Sequence, residues 1–278
     1  MTYRPLAAEA GFVHVCAHRG HSIDVPENTI PALEAAARHG ATVCEIDVVL
    51  TRDEEVVLMH DEFLDRTTTG KGRVASYDLR ELSGLDAGTW LDPRFAGTRV
   101  PTLAEALETA RAHGMGLLVE IKERQRADRL IERLGAVLEA QESVDGVLVI
   151  SFDHPSLLKV KGRIPGVRTE IITHARHVDP ASMARRAACA SVAIEAEMFH
   201  VDDARALHEA GIATRVTIPR PDRIAHRKAH GLDIEAGIAA ALSEGLIDVL
   251  AADETRQAAE WVRGHSPFAG QRQARGLA

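Results

Sequence analysis

Four short stretches of the chain carry side chains whose types and spacing suit catalysis: His18-Arg19-Gly20, Glu45 with Asp47, His60-Asp61, and Glu120 with Lys122. Residues two apart on a strand point to the same side. Glu45 and Asp47 therefore form one carboxylate pair, and Glu120 and Lys122 put an acid and a cation on one face. Charges inside an apolar fold are costly unless they are paired or hold a metal. Three converging carboxylates make a hard-cation site, suited to Mg²⁺ or Ca²⁺. Zinc fits less well, because the set has no cysteine and no close histidine pair. Segments 43–50 and 55–60 are joined by Thr51–Glu54, too short for a parallel crossover, so they read as a hairpin. A turn at 52–54 sets Leu50 opposite Val56, Asp47 opposite Met59 and Ile46 opposite His60. His60 then lies beside the acids, and His18 arrives from the neighbouring first strand. Two imidazoles, which titrate near neutrality, suit general acid and general base roles. Arg19 and Lys122 suit phosphate oxygens. Together these groups describe phosphoryl transfer better than acyl or hydride chemistry.

Short apolar runs alternate with helical patterns along the chain. Strands are expected at 13–18, 43–50, 55–60, 116–121, 146–151, 167–172, 191–195, 212–218 and 247–251. Helices are expected at 29–39, 102–113, 126–141, 154–161, 180–188, 202–210, 233–244 and 255–263, with Asn28, Thr102 and Asp202 as capping residues. About eight strand–helix repeats predict an α/β fold, a (β/α)₈ TIM barrel, with 55–60 the ninth strand folding back on the second. A doubly wound sheet is the competing architecture, but no GxGxxG follows the first strand. Residues 61–100 are rich in turn formers and read as an insertion after the second strand, over the barrel mouth. The basic stretch 219–232 reads as a long loop, and 265–278 as a loose tail. The whole chain, 1–278, reads as a single domain. His14 is expected to be structural, and most histidines elsewhere (39, 113, 174, 177, 200, 208 and 265) to lie on the surface. His21-Ser22 could reach the mouth, and Phe63 and Trp90 either wall the site or pack the insertion.

Composition narrows the function further. In 278 residues, 45% hydrophobic and 27% charged content supports a large core. A net charge of −8 and only 4% aromatics argue against nucleic acid as partner and against an anionic membrane surface. Three scattered cysteines make no disulfide framework. No apolar run approaches a membrane span, and the first twenty residues lack a signal-peptide core. The expectation is a cytoplasmic protein acting on a small molecule, with its oligomeric state open.

The motifs H-R-G (18–20), P-E-N-T (26–29), E-x-D (45–47), T-x-D (51–53), H-D (60–61), L-x-R-T-T-x-G (64–70), P-T-L-x-E (101–105) and E-I-K (120–122) stand in this order. In order and spacing the chain resembles the glycerophosphodiester phosphodiesterases. The likeness continues more weakly through S-F-D (151–153) to G-L-I-D-V-L-A-A-D (245–253). It implies hydrolysis of glycerophosphodiesters to sn-glycerol 3-phosphate and an alcohol. It also implies His18 and His60 as acid and base, Glu45, Asp47 and Glu120 holding a divalent cation, and Arg19 and Lys122 on the phosphate. Glu27 and Asn28 would brace the site. Two departures stand out. Glu54 replaces a turn glycine, at a cost of ~1 kcal/mol if φ there is positive. The seventh strand reads Arg215-Val216-Thr217-Ile218-Pro219 where the family has a W-T-V-N-like end. Arg220, Arg223, Arg227 and Lys228 could then select a more anionic diester, such as a sugar-phosphate, inositol-phosphate or lysophospholipid. A non-catalytic phosphate-binding barrel is the remaining alternative.

Overall fold

The computed structural model describes residues 2–268. Nine strands form one sheet: β1 (His14–His18), β2 (Val43–Leu50), β3 (Val56–Leu58), β4 (Gly116–Ile121), β5 (Val147–Ser151), β6 (Arg168–Thr173), β7 (Ser191–Glu195), β8 (Ala213–Thr217) and β9 (Val249–Ala252). Eight are parallel neighbours in the order β1-β9-β8-β7-β6-β5-β4-β2, and β1 pairs with β2 to close the ring. A closed ring excludes the doubly wound alternative. The ninth, β3, runs antiparallel to β2 with Leu50 opposite Val56, and the Met59 amide donates to the Asp47 carbonyl. The hairpin register read from the sequence is the one observed.

These strands are apolar on both faces because each is covered twice. Outward residues such as Ile46, Val48, Leu117 and Val119 pack under helices Ile30–Arg38, Leu103–Ala112 and Ala127–Ala140. Inward residues Cys16, Val43, Leu118, Leu148, Ile150, Val249 and Ala251 fill the lower barrel, with Tyr3 against them. The inward residues His18, Glu45, Asp47 and Glu120 sit higher, towards the C-terminal strand ends, where a barrel of this kind carries its site.

The structure corrects several local expectations. Thr29, not Asn28, caps the helix Ile30–Arg38, because its hydroxyl accepts from the Ala32 amide and Asn28 is turned elsewhere. Asp202 lies in the first turn of Val201–Glu209, whose N-cap is His200. Thr102 caps Leu103–Ala112 as expected, in a capping box with Glu105. The stretch 219–232 is no loop: Pro221–Ala229 is helical. Only Ile224 of that helix is buried, so it leaves no apolar periodicity to read. The helix Thr255–His265 carries the chain into the expected tail, and 269–278 lie outside the described residues. His14 is structural, buried between the Thr42 hydroxyl and the Arg4 carbonyl. His208 is not a plain surface residue, since it bonds the buried Asp248 at 2.7 Å.

Candidate active site

The H-R-G turn is built by two consecutive left-handed residues, Arg19 (φ 58°) and Gly20 (φ 79°). A side chain at Gly20 would meet Ala32 at 2.6 Å, so glycine is required where the turn packs on the helix. Arg19 accepts the strained conformation because it aims its backbone N–H at Glu45 Oε2, 2.9 Å away. The same residue sends its guanidinium to Glu27 (3.1 Å) and to Asp47 (3.3 Å). One residue thus ties the first strand end to both carboxylates of the second.

Glu45, Asp47 and Glu120 are all buried, and each offers an oxygen within 4.8 Å of the others. The β2–β4 register explains this, since Asp47 is the direct neighbour of Glu120. Lys122 lies 3.3 Å from Asp47 and also contacts Glu120. Asn28 clips Asp47 from the other side. Its amide nitrogen donates to Asp47 Oδ2 at 2.7 Å, and its oxygen accepts from the Asp47 N–H at 3.0 Å. Asn28 holds this pose at φ 56°, which asparagine tolerates better than most residues.

The acids respond unequally to this environment. Burial, reinforced by the charge of Asp47, pushes Glu45 up to about 7. Burial and Asp47 likewise raise Glu120. Asp47 is also penalised by burial, but Lys122 and Arg19 outweigh it and hold its carboxyl below the usual range. Glu45 Oε1 and Asp47 Oδ1 are buried without a hydrogen bond. Asp47 Oδ1 has the Lys122 ammonium 3.3 Å away, but Glu45 Oε1 is left unpartnered at the meeting point of three acids, which fits a divalent cation with an oxygen ligand set.

Each histidine approaches with one nitrogen already engaged. His18 places Nδ1 2.6 Å from Asp253 and Nε2 3.9 Å from Glu45. Burial opposes charging of this ring, but Asp253 and Glu45 outweigh it, so its pKa is raised. His60, just beyond β3, places Nδ1 2.6 Å from Asp61. Arg66 bonds Asp61 at 2.6 Å and both oxygens of Glu27 at 2.8 Å. Glu27 is therefore shared by Arg19 and Arg66 and links the two sides. Its carboxyl is held low by these arginines in spite of burial.

A cavity of about 1160 Å³ opens above the cluster, lined by His18, Arg19, Glu45, His60, Glu120 and Lys122 among others. Seven of the nine residues singled out in the sequence thus meet at one place by lining or direct contact, and Glu27 and Asn28 stand directly behind them. Phe63 and Trp90 do not line this cavity. Trp90 donates to the Ala87 carbonyl within the 61–100 segment. His21 also turns away, buried against His39. None of the four basic residues at 220–228 lines the cavity. Arg220 pairs with Asp253, Arg223 and Arg227 with Glu197, and Lys228 with Asp233 and Glu235. Asp253, Asp61 and Arg66 were not assigned from the sequence. Asp253 directly follows β9, the strand that closes on β1, and that position was the available signal.

Comparison with known proteins points to one family. Residues 18–233 match the glycerophosphoryl diester phosphodiesterase family. The chain is 39% identical over 173 residues to a glycerophosphodiester phosphodiesterase of Caldanaerobacter subterraneus, spanning 62% of this chain and 71% of the relative. It is 36% identical over 176 residues to one of Bacillus subtilis, spanning 58% and 60% respectively. The matched stretches thus span about two thirds of these relatives' length. Among solved structures, the chain is similar to an Oleispira antarctica phosphodiesterase in complex with the product sn-glycerol-3-phosphate. That likeness has a TM-score of 0.79 at 27% identity and covers 92% of this chain and 98% of the other.

Proposed function

The chain belongs to the glycerophosphoryl diester phosphodiesterase family, and from that membership we propose that it hydrolyses glycerophosphodiesters to sn-glycerol 3-phosphate and an alcohol, with a divalent cation and two histidines. The observation that carries this reading is the convergence of three buried acids and two imidazoles on one cavity. The complex of the Oleispira relative with sn-glycerol-3-phosphate supports the product.

Glu45, Asp47 and Glu120 are the residues that would hold the cation, Mg²⁺ or Ca²⁺. When bound, it supplies a Lewis acid for the phosphoryl oxygens and offsets developing negative charge. Lys122 and Arg19 bind phosphate oxygens beside it, and their charge is retained because Asp47 favours the cationic form of both. His18 and His60 divide the proton transfers. One takes the proton from the nucleophile, either water or the substrate's own glycerol hydroxyl giving a cyclic phosphate that water then opens, and the other gives a proton from Nε2 to the departing alkoxide. With Nδ1 of each ring engaged by an aspartate, Nε2 is the nitrogen left for substrate.

We also read the chain as a single domain in which 61–100 is an insertion over the mouth. Asp61, Glu62, Arg73 and Val74 line the cavity, and the segment's apolar residues pack with Val49 and Val57 of β2 and β3. No described helix is long and apolar enough to cross a membrane. A cytoplasmic location fits the negative net charge and the three buried free thiols. The test is a panel of glycerophosphodiesters assayed for released sn-glycerol 3-phosphate, using chelator-treated protein with and without each cation. Release that requires added Mg²⁺ or Ca²⁺ is expected. No release from any diester would remove the proposal.

A further inference from the structure

The chain departs from its family's pattern at the end of β8, and the structure puts that departure next to a catalytic candidate. β8 leads into Ile218-Pro219-Arg220-Pro221, and Ile218 is tied to β9 by its N–H donating to the Ala251 carbonyl at 2.8 Å. Arg220 therefore stands between two prolines. Pro219 and Pro221 have fixed φ, and a residue before proline is confined to extended backbone. Arg220 obeys this, at φ −59° and ψ 152°. Its side chain leaves a stiff backbone and sets Nε 2.6 Å from Asp253 Oδ2. The other oxygen of Asp253 is 2.6 Å from His18 Nδ1. Asp253 reaches His18 because β9 pairs with β1 up to Ala252 opposite Ala17.

We propose that Arg220 and Asp253 are positioning residues for His18: Arg220 fixes both the rotamer and the charge of Asp253, and Asp253 holds the imidazole with Nε2 towards the cavity. This rests on the proton-transfer role given to His18 above. The same three-part clamp occurs independently at His60, where Asp61 takes Nδ1 and Arg66 takes the second oxygen of Asp61. An exposed arginine–carboxylate pair is ordinarily worth little. Here Asp253 is, among the described residues, the only side chain hydrogen-bonded to the His18 ring, so a loss of order at Asp253 becomes disorder at a reacting nitrogen.

The test compares Arg220→Gln, Arg220→Lys and Asp253→Asn in the full-length, cation-loaded enzyme. Asp253→Asn offers a donor where Nδ1–H expects an acceptor and so favours the wrong tautomer. A kcat loss between about 10²- and 10⁴-fold is expected, with KM within about threefold. Arg220→Gln should lower kcat about tenfold at unchanged KM, and Arg220→Lys should restore most of it. The Nδ1–H resonance of His18, shifted downfield by its short bond to Asp253, should vanish in Asp253→Asn and move in Arg220→Gln. In a His18→Ala background, with a nitrophenyl diester to report residual rate, neither substitution should cost more. Wild-type kcat in Arg220→Gln, or equal proportional losses with and without His18, would overturn the clamp. If Asp253→Asn does not fold, the Arg220 variants and the resonance decide the matter. Wild-type turnover in His18→Ala would instead remove the parent assignment.

Discussion

Asn28 offers the most discriminating perturbation, because a single side chain there supports both fold and cation site. It exchanges two hydrogen bonds with Asp47, at 2.7 and 3.0 Å, and does so at φ 56°. Asn28→Ala leaves the buried Asp47 amide without a partner, at roughly 1–3 kcal/mol, while Asp47 Oδ2 keeps Arg19 Nε at 3.3 Å. Alanine in the left-handed region adds about 1 kcal/mol. The sum is roughly 2–4 kcal/mol, which for a chain of this size lowers the melting temperature by roughly 4–16 °C. Asn28→Asp separates the two roles. It keeps the acceptor for the Asp47 N–H and tolerates the backbone angle, but it turns a donor into an oxygen facing a carboxylate oxygen. Asn28→Asp should therefore melt closer to wild type while binding Mg²⁺ or Ca²⁺ with altered affinity and lowering kcat. A tenfold or larger change in cation affinity is the expected size for a group that orients a ligand. Calorimetric titration of chelator-treated protein, beside thermal melts, measures both. Asn28→Ala melting within about 2 °C of wild type, or Asn28→Asp matching wild type in both cation affinity and kcat, would refute the reasoning.

His18→Ala and His60→Ala should each lower turnover by at least about 10²-fold with far-ultraviolet circular dichroism unchanged; near-wild-type rates in either would remove its acid–base role. Glu45→Gln should weaken cation binding sharply, read by calorimetry, while unaltered binding would take Glu45 out of the ligand set. Glu54 sits at φ 63°, as its place in the turn suggested, so Glu54→Gly should relieve about 1 kcal/mol of strain, partly offset by its exposed pair with Arg129. Urea unfolding should show a small gain, and a clear loss would count against the strain. The bond to Asp248 raises the pKa of His208, so its stabilising contribution is complete below the ordinary histidine pKa of about 6.5 and is lost as pH rises through the elevated value. The stability difference between wild type and His208→Asn should therefore shrink from pH 6 to pH 9, and a difference that grows instead would reverse the assignment.

The alternation of apolar strands and helices, the short Thr51–Glu54 turn and the charges two apart on β2 and β4 are local patterns. A reader of the sequence could therefore place the barrel, the hairpin and the three acids without coordinates. What failed locally failed for local reasons. Thr29 and Asn28 are both capping residues, and only the position of Asp47 in space decides which one is free to clip it. The Pro221–Ala229 helix buries one side chain, too few for a periodic signal. Its cations read as a substrate-selecting patch, but Arg223 and Arg227 share Glu197, and Lys228 faces Asp233 and Glu235.

From the sequence by itself came the chemical inventory: which groups could bind a cation, move a proton or hold a phosphate, since those follow from residue type and strand spacing. Tertiary structure alone decided how the His18 imidazole is held. Asp253 lies 235 positions from His18 and meets it only because the last strand closes on the first. Arg66 reaches Glu27 across 39 positions because the β2–β3 hairpin packs beside β1. Short-range backbone geometry is written residue by residue along the chain, whereas a contact between remote segments exists only once the ring has closed.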